Sequence, residues 1–283
     1  MIINASKRCD MPAYFSKWML NRLKERKVAT KNPYSNAVTE YKLNPDNDFI
    51  VFWSKNPIPM IDKLKEIQDM GYQSYWQYTI NNYTFEKNLP DIHKRLNAFL
   101  QMSEIIGKDK VIWRYDPIIF ANRLDADFHL QEFEKIAKTL NGHTNKVVIS
   151  FVDTYTKISG FLQSIQQYTP DINQLNAFAK NIANIAKSFN LEIASCAEKI
   201  DLDSIGIKHN ACVDPELISK ITGKPVFAQP ANQRGECRCA KAIDIGKYDT
   251  CKNGCAYCYA NGFAWHIHKN MRKYNPDSLL LCE

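Results

Sequence analysis

Three cysteines near the end of the chain, Cys251, Cys255 and Cys258, form the pattern CxxxCxxC, and Tyr257 directly precedes the last of them. Thiolates at this spacing converge in one short loop, and cysteine thiolates are the usual ligands of iron–sulfur clusters. Most cubic clusters have four protein thiolates, so a loop with three leaves one iron open for chemistry. The spacing also fits a structural zinc site that borrows a fourth ligand from a nearby cysteine or histidine. The pattern therefore predicts a metal centre, with an iron–sulfur cluster favoured over zinc.

The chain contains nine cysteines, an odd number, and cysteines of a reducing compartment are more often metal ligands or free thiols than disulfides. Cys9 and Cys282 stand alone near the two ends and are expected to be free thiols. Four further cysteines follow separate predicted elements and are expected to share a second metal, either zinc or a second iron–sulfur cluster: Cys196, Cys212, Cys237 and Cys239. The alternative is that Cys196 and Cys212 are small buried apolar residues.

Strand-length runs of β-branched and aromatic residues alternate with amphipathic helices. The predicted strands are 1–4, 49–53, 74–80, 111–115, 146–152 and 191–196, and the predicted helical faces span 15–23, 61–67, 92–106, 133–140 and 175–189. Apolar strands between such helices are typical of a parallel sheet covered by helices. We therefore predict an α/β fold with a (β/α)6-type partial or closed barrel. The long connection 31–48 is expected to cap one end of it.

Polar residues follow each predicted strand. Parallel barrels bind ligands at the carboxyl ends of their strands, so these residues predict a polar pocket. They are Ser6, Arg8, Asp10, Ser54, Lys55, Asn56, Asn81, Asn82, Tyr83, Arg114, Asp116, Ser150, Asp153, Ser195 and Glu198.

Length and composition describe one globular domain. A chain of 283 residues with 45% hydrophobic and 24% charged residues can bury a large core. We expect residues 1–283 to form a single domain, with 197–283 carrying the cysteine-rich region. No apolar stretch of membrane-spanning length and no signal sequence is visible, which predicts a cytoplasmic protein with no membrane partner. The sequence also lacks a Gly-rich phosphate loop, a nucleophile elbow and an HExxH metal pair.

The net charge of +7 is concentrated at the N-terminus. The first 31 residues contain eight Lys or Arg against Asp10 and Glu25. Such asymmetry fits a nucleic-acid footprint, although a basic run on an amphipathic helix is more often its solvated face.

The string from Tyr248 to Cys258, YDTCKNGCAYC, resembles the cluster loop of radical S-adenosylmethionine (radical SAM) enzymes. In that superfamily the loop normally follows the first barrel strand, whereas here it ends 25 residues from the end of the chain (283 minus 258). Together with the segments NASKR at 4–8, DMPA at 10–13, FWSKNP at 52–57, WRYDP at 113–117 and 237–261, nearly the whole chain resembles an uncharacterised bacterial family with a C-terminal radical SAM cysteine cluster. Some of its relatives are described as similar to spore photoproduct lyase, a DNA-repair member of the superfamily.

The resemblance implies a 4Fe–4S cluster that binds SAM, cleaves its sulfonium bond reductively and yields a 5'-deoxyadenosyl radical that abstracts hydrogen from a substrate. It also implies an electron donor such as flavodoxin or ferredoxin. Tyr257 corresponds to the aromatic residue near the adenine of SAM. The Gly-Gly-Glu segment that holds the SAM amino group in many members is missing, so Lys55, Arg114 and Glu198 are the candidates for the other contacts. Cys196 is a candidate hydrogen donor to a product radical.

We expect a macromolecular substrate, with nucleic acid favoured over peptide because of the basic N-terminal helix and the basic run 266–273. Two alternatives stay open. One is a peptide-modifying radical SAM maturase, and the other is a non-catalytic cysteine-rich metal module that binds nucleic acid. The sequence does not indicate an oligomeric state.

The C-terminal position of the cysteine loop predicts a circularly rearranged barrel. The strand that leads to Cys251 should lie beside the N-terminal strand with Ile2 and Ile3, because a closing parallel sheet needs neighbours on both sides. The same geometry would bring the helix at 265–273 close to the helix with Lys17, Arg22, Lys24 and Lys27 and merge their charges into one basic patch.

Overall fold

The computed structural model describes residues 1–196, 198, 200–228 and 238–283. Its strands are β1 (Ile2–Ala5), β2 (Lys27–Lys31), β3 (Val38–Lys42), β4 (Phe49–Ser54), β5 (Gln73–Thr79), β6 (Val111–Ile118), β7 (Lys146–Phe151), β8 (Glu192–Cys196), β9 (Lys208–Asn210) and β10 (Ile243–Asp244). Its α-helices are α1 (Met11–Tyr14), α2 (Ser16–Glu25), α3 (Leu64–Asp69), α4 (Ile92–Ile106), α5 (Ala126–Leu140), α6 (Ser159–Ser164), α7 (Ile172–Ser188), α8 (Pro215–Thr222) and α9 (Ala264–Met271). Short 3-10 helices span Ile58–Lys63, Lys108–Lys110, Thr156–Ile158 and Asp203–Ile205.

One mostly parallel sheet organises the fold. Its strand order is β10-β1-β4-β5-β6-β7-β8-β9, and each neighbouring pair is parallel. The six predicted strands correspond to β1, β4, β5, β6, β7 and β8, which confirms the α/β class. Across the described part of the chain, the edge strands β9 and β10 are not paired with each other. β2 and β3 form a separate antiparallel hairpin. Its second strand lies inside the connection 31–48 that was expected to cap one end of the barrel.

The two faces of the sheet have different cores, because successive side chains of a strand point to opposite sides. Phe52, Trp76 and Trp113 face the helices and belong to the main hydrophobic core. Their neighbours Val51 and Tyr75 face the other side. There they pack with Ile112, Val148, Cys212, Ile218, Cys239 and Ala240, so α8 and the two cysteines fill the side of the sheet that the large helices leave open.

Three of the predicted helices, α4, α5 and α7, begin where a side-chain cap satisfies one or more of their first N–H groups. Asp91 caps α4 by accepting from the His93 N–H, and Gly107 ends that helix with a φ of 91°. Asp171 and Gln174 form a capping box at the start of α7. These local signals fix helices that then bury their apolar faces on the sheet. No described helix is long and apolar enough to cross a membrane.

β1 and β10, the first and last strands in chain order, lie side by side in the sheet. Ile3 pairs with Ile243, and Asn4 pairs with Asp244. The Asp244 carboxylate then accepts hydrogen bonds from the Ser6 hydroxyl at 2.5 Å and the Lys7 N–H at 2.9 Å. This confirms the prediction that the strand leading to the cysteine loop lies beside the N-terminal strand.

The end of the chain packs against α2 rather than forming a detached tail. The Tyr274 ring lies 5.2 Å from that of Phe15, and the Trp18 indole N–H donates to the Ser278 carbonyl at 2.6 Å. The prediction of one merged basic patch is wrong at Arg22, whose side chain is fully buried and donates to Glu25 and to the Asp277 carbonyl.

Lys24 is also engaged, since its ammonium pairs with Glu66 at 2.6 Å. A lysine and an arginine of α2 thus have acidic partners within the protein. The basic surface of α2 is therefore smaller than the sequence suggested.

We expect Gly246→Ala to destabilise the contact between β1 and β10. A Cβ at position 246 would lie 2.1 Å from the Ser6 Oγ and 2.9 Å from the Cys9 Sγ. Such overpacking costs about 1–3 kcal/mol of unfolding free energy. Gly160→Ala in α6 is the matched control, because a Cβ there meets nothing within 4 Å. Urea unfolding of both variants measures the difference, and equal stability would contradict the packing described here.

Candidate metal and cofactor site

The cysteine loop lies at the carboxyl end of the sheet. Cys251 is buried, while Cys255 and Cys258 are partly exposed, and all three are free thiols. Gly254 has a φ of 70°, and a Cβ there would come within 3.0 Å of the Asn88 amide nitrogen. A glycine is therefore required for both the turn and the close approach.

A buried carboxylate fixes the loop to the sheet. Asp10, just after β1, accepts a hydrogen bond from the Asn253 side chain at 2.9 Å. It also accepts from the Ser54 hydroxyl at 2.7 Å and from the Lys55 N–H at 2.8 Å, both at the end of β4. Further donors are the Ala13 and Asn56 N–H groups. Burial raises the pKa of Asp10, and the hydrogen bonds from Ser54 and Asn253 oppose that rise.

Asp10 also contacts a thiol directly. Its backbone N–H and that of Asn253 donate to Cys251, whose pKa burial raises well above its usual value. The Tyr14 hydroxyl donates to the Asn253 side-chain oxygen at 2.8 Å. Asn253, which lies between Cys251 and Cys255, therefore has two hydrogen-bond partners in the segment after β1, Asp10 and Tyr14.

The segment after β5 holds the opposite side of the loop. The Asn88 N–H donates to the Asn253 carbonyl at 3.1 Å, and its side chain donates to the Lys252 carbonyl at 2.8 Å. Glu86 forms an antiparallel bridge with Cys255. The loop therefore has backbone partners on a second strand end, which defines its position relative to the pocket residues.

Glu86 joins two of the predicted cofactor contacts. Its carboxylate, 1% exposed, accepts from the Lys55 ammonium at 2.7 Å and from the Tyr257 hydroxyl. The Lys55 nitrogen lies 5.4 Å from the centre of the Tyr257 ring. Burial lowers the pKa of Lys55, but the charges of Glu86 and Cys255 outweigh burial and raise it overall. Lys55 is therefore a partly buried cation beside the cysteine loop.

The thiol next to this cation is protonated in the absence of a metal. Burial raises the pKa of Cys255 to about 12, although the nearby Lys55 lowers it. Because thiolates are the metal-binding form, a metal ion at Cys255 would have to displace this proton.

A second group of thiols lies at the face of the sheet opposite the large helices. Cys196 and Cys239 both donate hydrogen bonds to Cys212, and these bonds hold the pKa of Cys212 well below its usual range. The Arg114 guanidinium also donates to the Cys212 sulfur, at 3.7 Å. The structure thus brings together three of the four cysteines predicted for the second site. Cys237 lies outside the described residues.

Arg114 is held by a carboxylate on its other side. Its Nε and Nη2 donate to the Asp116 carboxylate at 2.9 and 2.5 Å. Ser150 hydrogen-bonds the second oxygen of that carboxylate. Glu198 accepts from the Phe151 N–H at 2.8 Å. Arg114 therefore contacts the second group of thiols, while Lys55 and Tyr257 contact the segment that holds the cysteine loop.

The sequence reasoning did not single out Glu86, Asn88 or Asn253. The Asn253-Gly254 pair is a turn signal, and it could have indicated that the loop reverses direction there. Glu86 follows a predicted strand but lies outside the residues taken as its polar end. Its role depends on a contact with Tyr257, 171 residues away, and no local pattern records such a contact.

Comparison with known families assigns the chain. A family defined by a domain of unknown function (DUF1848) matches residues 2–260. The chain belongs to this family. No curated protein matches it.

Two solved structures show distant similarity to this DUF1848 protein. The crystal structure of a Bacteroides thetaiotaomicron protein proposed to be an alpha-L-fucosidase aligns with a TM-score of 0.35 and 12% identity, over 71% of this chain and 60% of that one. An endoglucanase aligns with a TM-score of 0.26 and 11% identity, over 79% of this chain and 96% of that one.

We expect Asp10→Asn to destabilise the protein and loosen the cysteine loop. The amide that replaces one carboxylate oxygen cannot accept the hydrogen bonds now made there, which leaves buried donors unpaired at a cost of about 3 kcal/mol. Urea unfolding and hydrogen exchange at 251–258 measure both effects. Asp91→Asn is the control, because asparagine also caps a helix well. An unchanged stability of Asp10→Asn would show that the carboxylate does not hold the loop.

Proposed function

We propose that this protein is a radical SAM enzyme whose 4Fe–4S cluster is held by Cys251, Cys255 and Cys258. The observation that carries the proposal is the anchoring of a three-cysteine loop, through Asp10 and Asn253, at the carboxyl end of a parallel sheet. When bound, such a cluster supplies the electron that cleaves SAM, and the resulting radical removes a hydrogen atom from the substrate.

A cluster does not require its ligands to surround a single metal position. Among the described residues, no three Cys, His, Asp or Glu side chains are arranged around one metal position. Each thiolate of a cube binds a different iron, so its ligands need not surround one point. The Cys258 thiol lies within electrostatic range of both Cys251 and Cys255, which supports a common cluster.

Lys55 and Tyr257 are the residues that we propose for SAM. Both contact the buried Glu86, which in turn is bridged to Cys255. A cation at this place can pair with the SAM carboxylate, and the Tyr257 ring can contact the adenine. Glu86 would hold both side chains in position and compensate the Lys55 charge before SAM arrives. Arg114 and Glu198 stay predictions as SAM contacts, and Cys196 stays one as a hydrogen donor.

The strand order supports the circularly rearranged (β/α)6-type barrel. The cysteine loop follows β10, and β10 occupies the position beside β1 at the edge of the sheet. A loop that follows the first strand in the superfamily would lie in a comparable place if the chain order were permuted. We propose that the enzyme works in the cytoplasm with reduced flavodoxin or ferredoxin as its electron donor.

We expect alanine at Cys251, Cys255 or Cys258 to abolish SAM cleavage, since each removes one thiolate ligand of the cluster. The measurement is 5'-deoxyadenosine formed from SAM and dithionite after anaerobic reconstitution, together with iron and labile sulfide analysis. Cys282→Ala, which changes a buried thiol of the C-terminal segment, should keep the activity. A reconstituted wild-type protein without labile sulfide would refute the proposal and favour a non-catalytic metal module.

For the substrate we propose a nucleic acid, because exposed rings and basic groups surround the cysteine loop. Phe263 is 73% exposed and Trp265 is 58% exposed. Phe263 directly precedes α9 and Trp265 lies in it. The Gly262 N–H and the Asn270 amide, at the two ends of this region, both donate to Asp249 just before the loop. The exposed Lys269, Arg272 and Lys273 add positive charge. Bases stack on such rings while cations pair with phosphates.

We expect Phe263→Ala and Trp265→Ala each to weaken binding of single-stranded RNA or DNA about tenfold, because stacking contributes 1–3 kcal/mol per base. Fluorescence anisotropy at fixed ionic strength measures the affinity. Tyr34→Ala is the control, since Tyr34 is 92% exposed on the β2–β3 turn. Equal affinity of all three variants and wild type would remove the support for a nucleic-acid substrate and leave a peptide as the alternative.

A further inference from the structure

The group of Cys196, Cys212 and Cys239 is separate from the proposed cluster loop and has no role in SAM cleavage as described above. The three thiols come from the end of β8, the segment after β9 and the segment before β10. Their side chains belong to one packed cluster on this face of the sheet. Free cysteines also pack well as isolated apolar residues, so the clustering of three cysteines from distant parts of the chain needs a physical reason.

We infer that these three thiols bind a single divalent thiophilic metal ion such as Zn²⁺. Zinc takes thiolate ligands at about 2.3 Å in a tetrahedron, so its ligand sulfurs must lie close together. The three side chains already share one packed cluster, so rotation of the sulfurs can bring them around one ion. The inference does not rest on the proposed function.

The donors around the sulfurs fit metal-bound thiolates. The Val213 N–H donates to the Cys239 sulfur at 3.3 Å, and the Arg114 guanidinium donates to the Cys212 sulfur at 3.7 Å. Hydrogen bonds from outer groups orient metal ligands and stabilise their charge. Two of the three thiols therefore have an N–H group directed at sulfur.

The charge balance also fits. Three thiolates and one divalent ion leave a net charge of −1, and a buried charge needs a partner. The Arg114 guanidinium directs Nη1 at the Cys212 sulfur, but Asp116 already balances its charge, so the compensating positive charge has to come from Lys7. Lys7 adds positive potential at both Cys212 and Cys239.

Binding requires a small rearrangement. In the described part of the chain, the three thiols do not already enclose one ion position. Rotation about the Cα–Cβ bond moves a cysteine sulfur between staggered positions without moving the backbone. Three protein ligands then leave the fourth tetrahedral position to an exchangeable ligand.

The test uses the full-length Cys251→Ala, Cys255→Ala, Cys258→Ala triple variant, which lacks the proposed cluster ligands, with Co²⁺ as the probe. We expect one equivalent of Co²⁺ to bind and to give thiolate-to-cobalt charge-transfer absorption. Adding Cys212→Ala should weaken binding by about 100-fold or more, because even outer-shell changes cost 10- to 100-fold. Adding Cys282→Ala instead should leave the affinity unchanged.

Thiol alkylation of the triple variant gives an independent reading that needs no change at the site. In the folded protein, bound Co²⁺ should slow the alkylation of Cys196, Cys212 and Cys239. The alkylation rates of Cys9 and Cys282 should be the same with and without Co²⁺. Absence of thiolate absorption, equal affinity with Cys212→Ala in a folded variant, or labile sulfide in the triple variant would overturn the inference. None of these results bears on SAM cleavage by the wild-type protein, so the two proposals fail separately.

Discussion

The Asp10 carboxylate determines how the carboxyl end of the sheet is arranged. It is buried, and its donors come from α1, from the end of β4 and from the cysteine loop. A buried carboxylate that loses its donors is costly, so these segments keep their relative positions only together. Cys251 is part of the same arrangement, since the Asp10 N–H donates to its sulfur. The position of the cysteine loop therefore depends on the same hydrogen bonds that hold the ends of β1 and β4 together.

The sequence predicted the sheet well because its strands are nearly continuous apolar runs. Val51 and Phe52 illustrate the reason, since they lie on opposite faces and both are fully buried. The β2–β3 hairpin was missed because Val38–Lys42 is largely exposed and shows no such pattern. Arg22 was expected on a basic surface, but the C-terminal segment covers it and supplies the Asp277 carbonyl as its partner.

For the candidate site, spacing identified Cys251, Cys255 and Cys258, and position after a strand identified Lys55. Glu86 and Asn253 could not be found in this way, because their roles come from hydrogen bonds between segments that lie far apart in the chain. Chain position divided the thiols into two groups, and Cys212 and Cys239 pack in a different cluster of side chains from Cys251. Metal binding by either group stays a prediction. The charge of Asp116 raises the pKa of both Lys55 and Cys196. The sequence could not predict this, because the three residues come close only in the folded sheet.

The pairing of β1 with β10 has a consequence for the order of events during synthesis. Ile3 is synthesised 240 residues before its partner Ile243. Until then one edge of β1 lacks its neighbour, and an uncovered edge strand can pair with other chains. The hydrogen bonds that position the cysteine loop also form only at this late stage, because the Asn253 side chain must donate to Asp10. Loading of the proposed cluster would therefore follow synthesis of Asn253, and β1 of a nascent chain needs protection until β10 has been made.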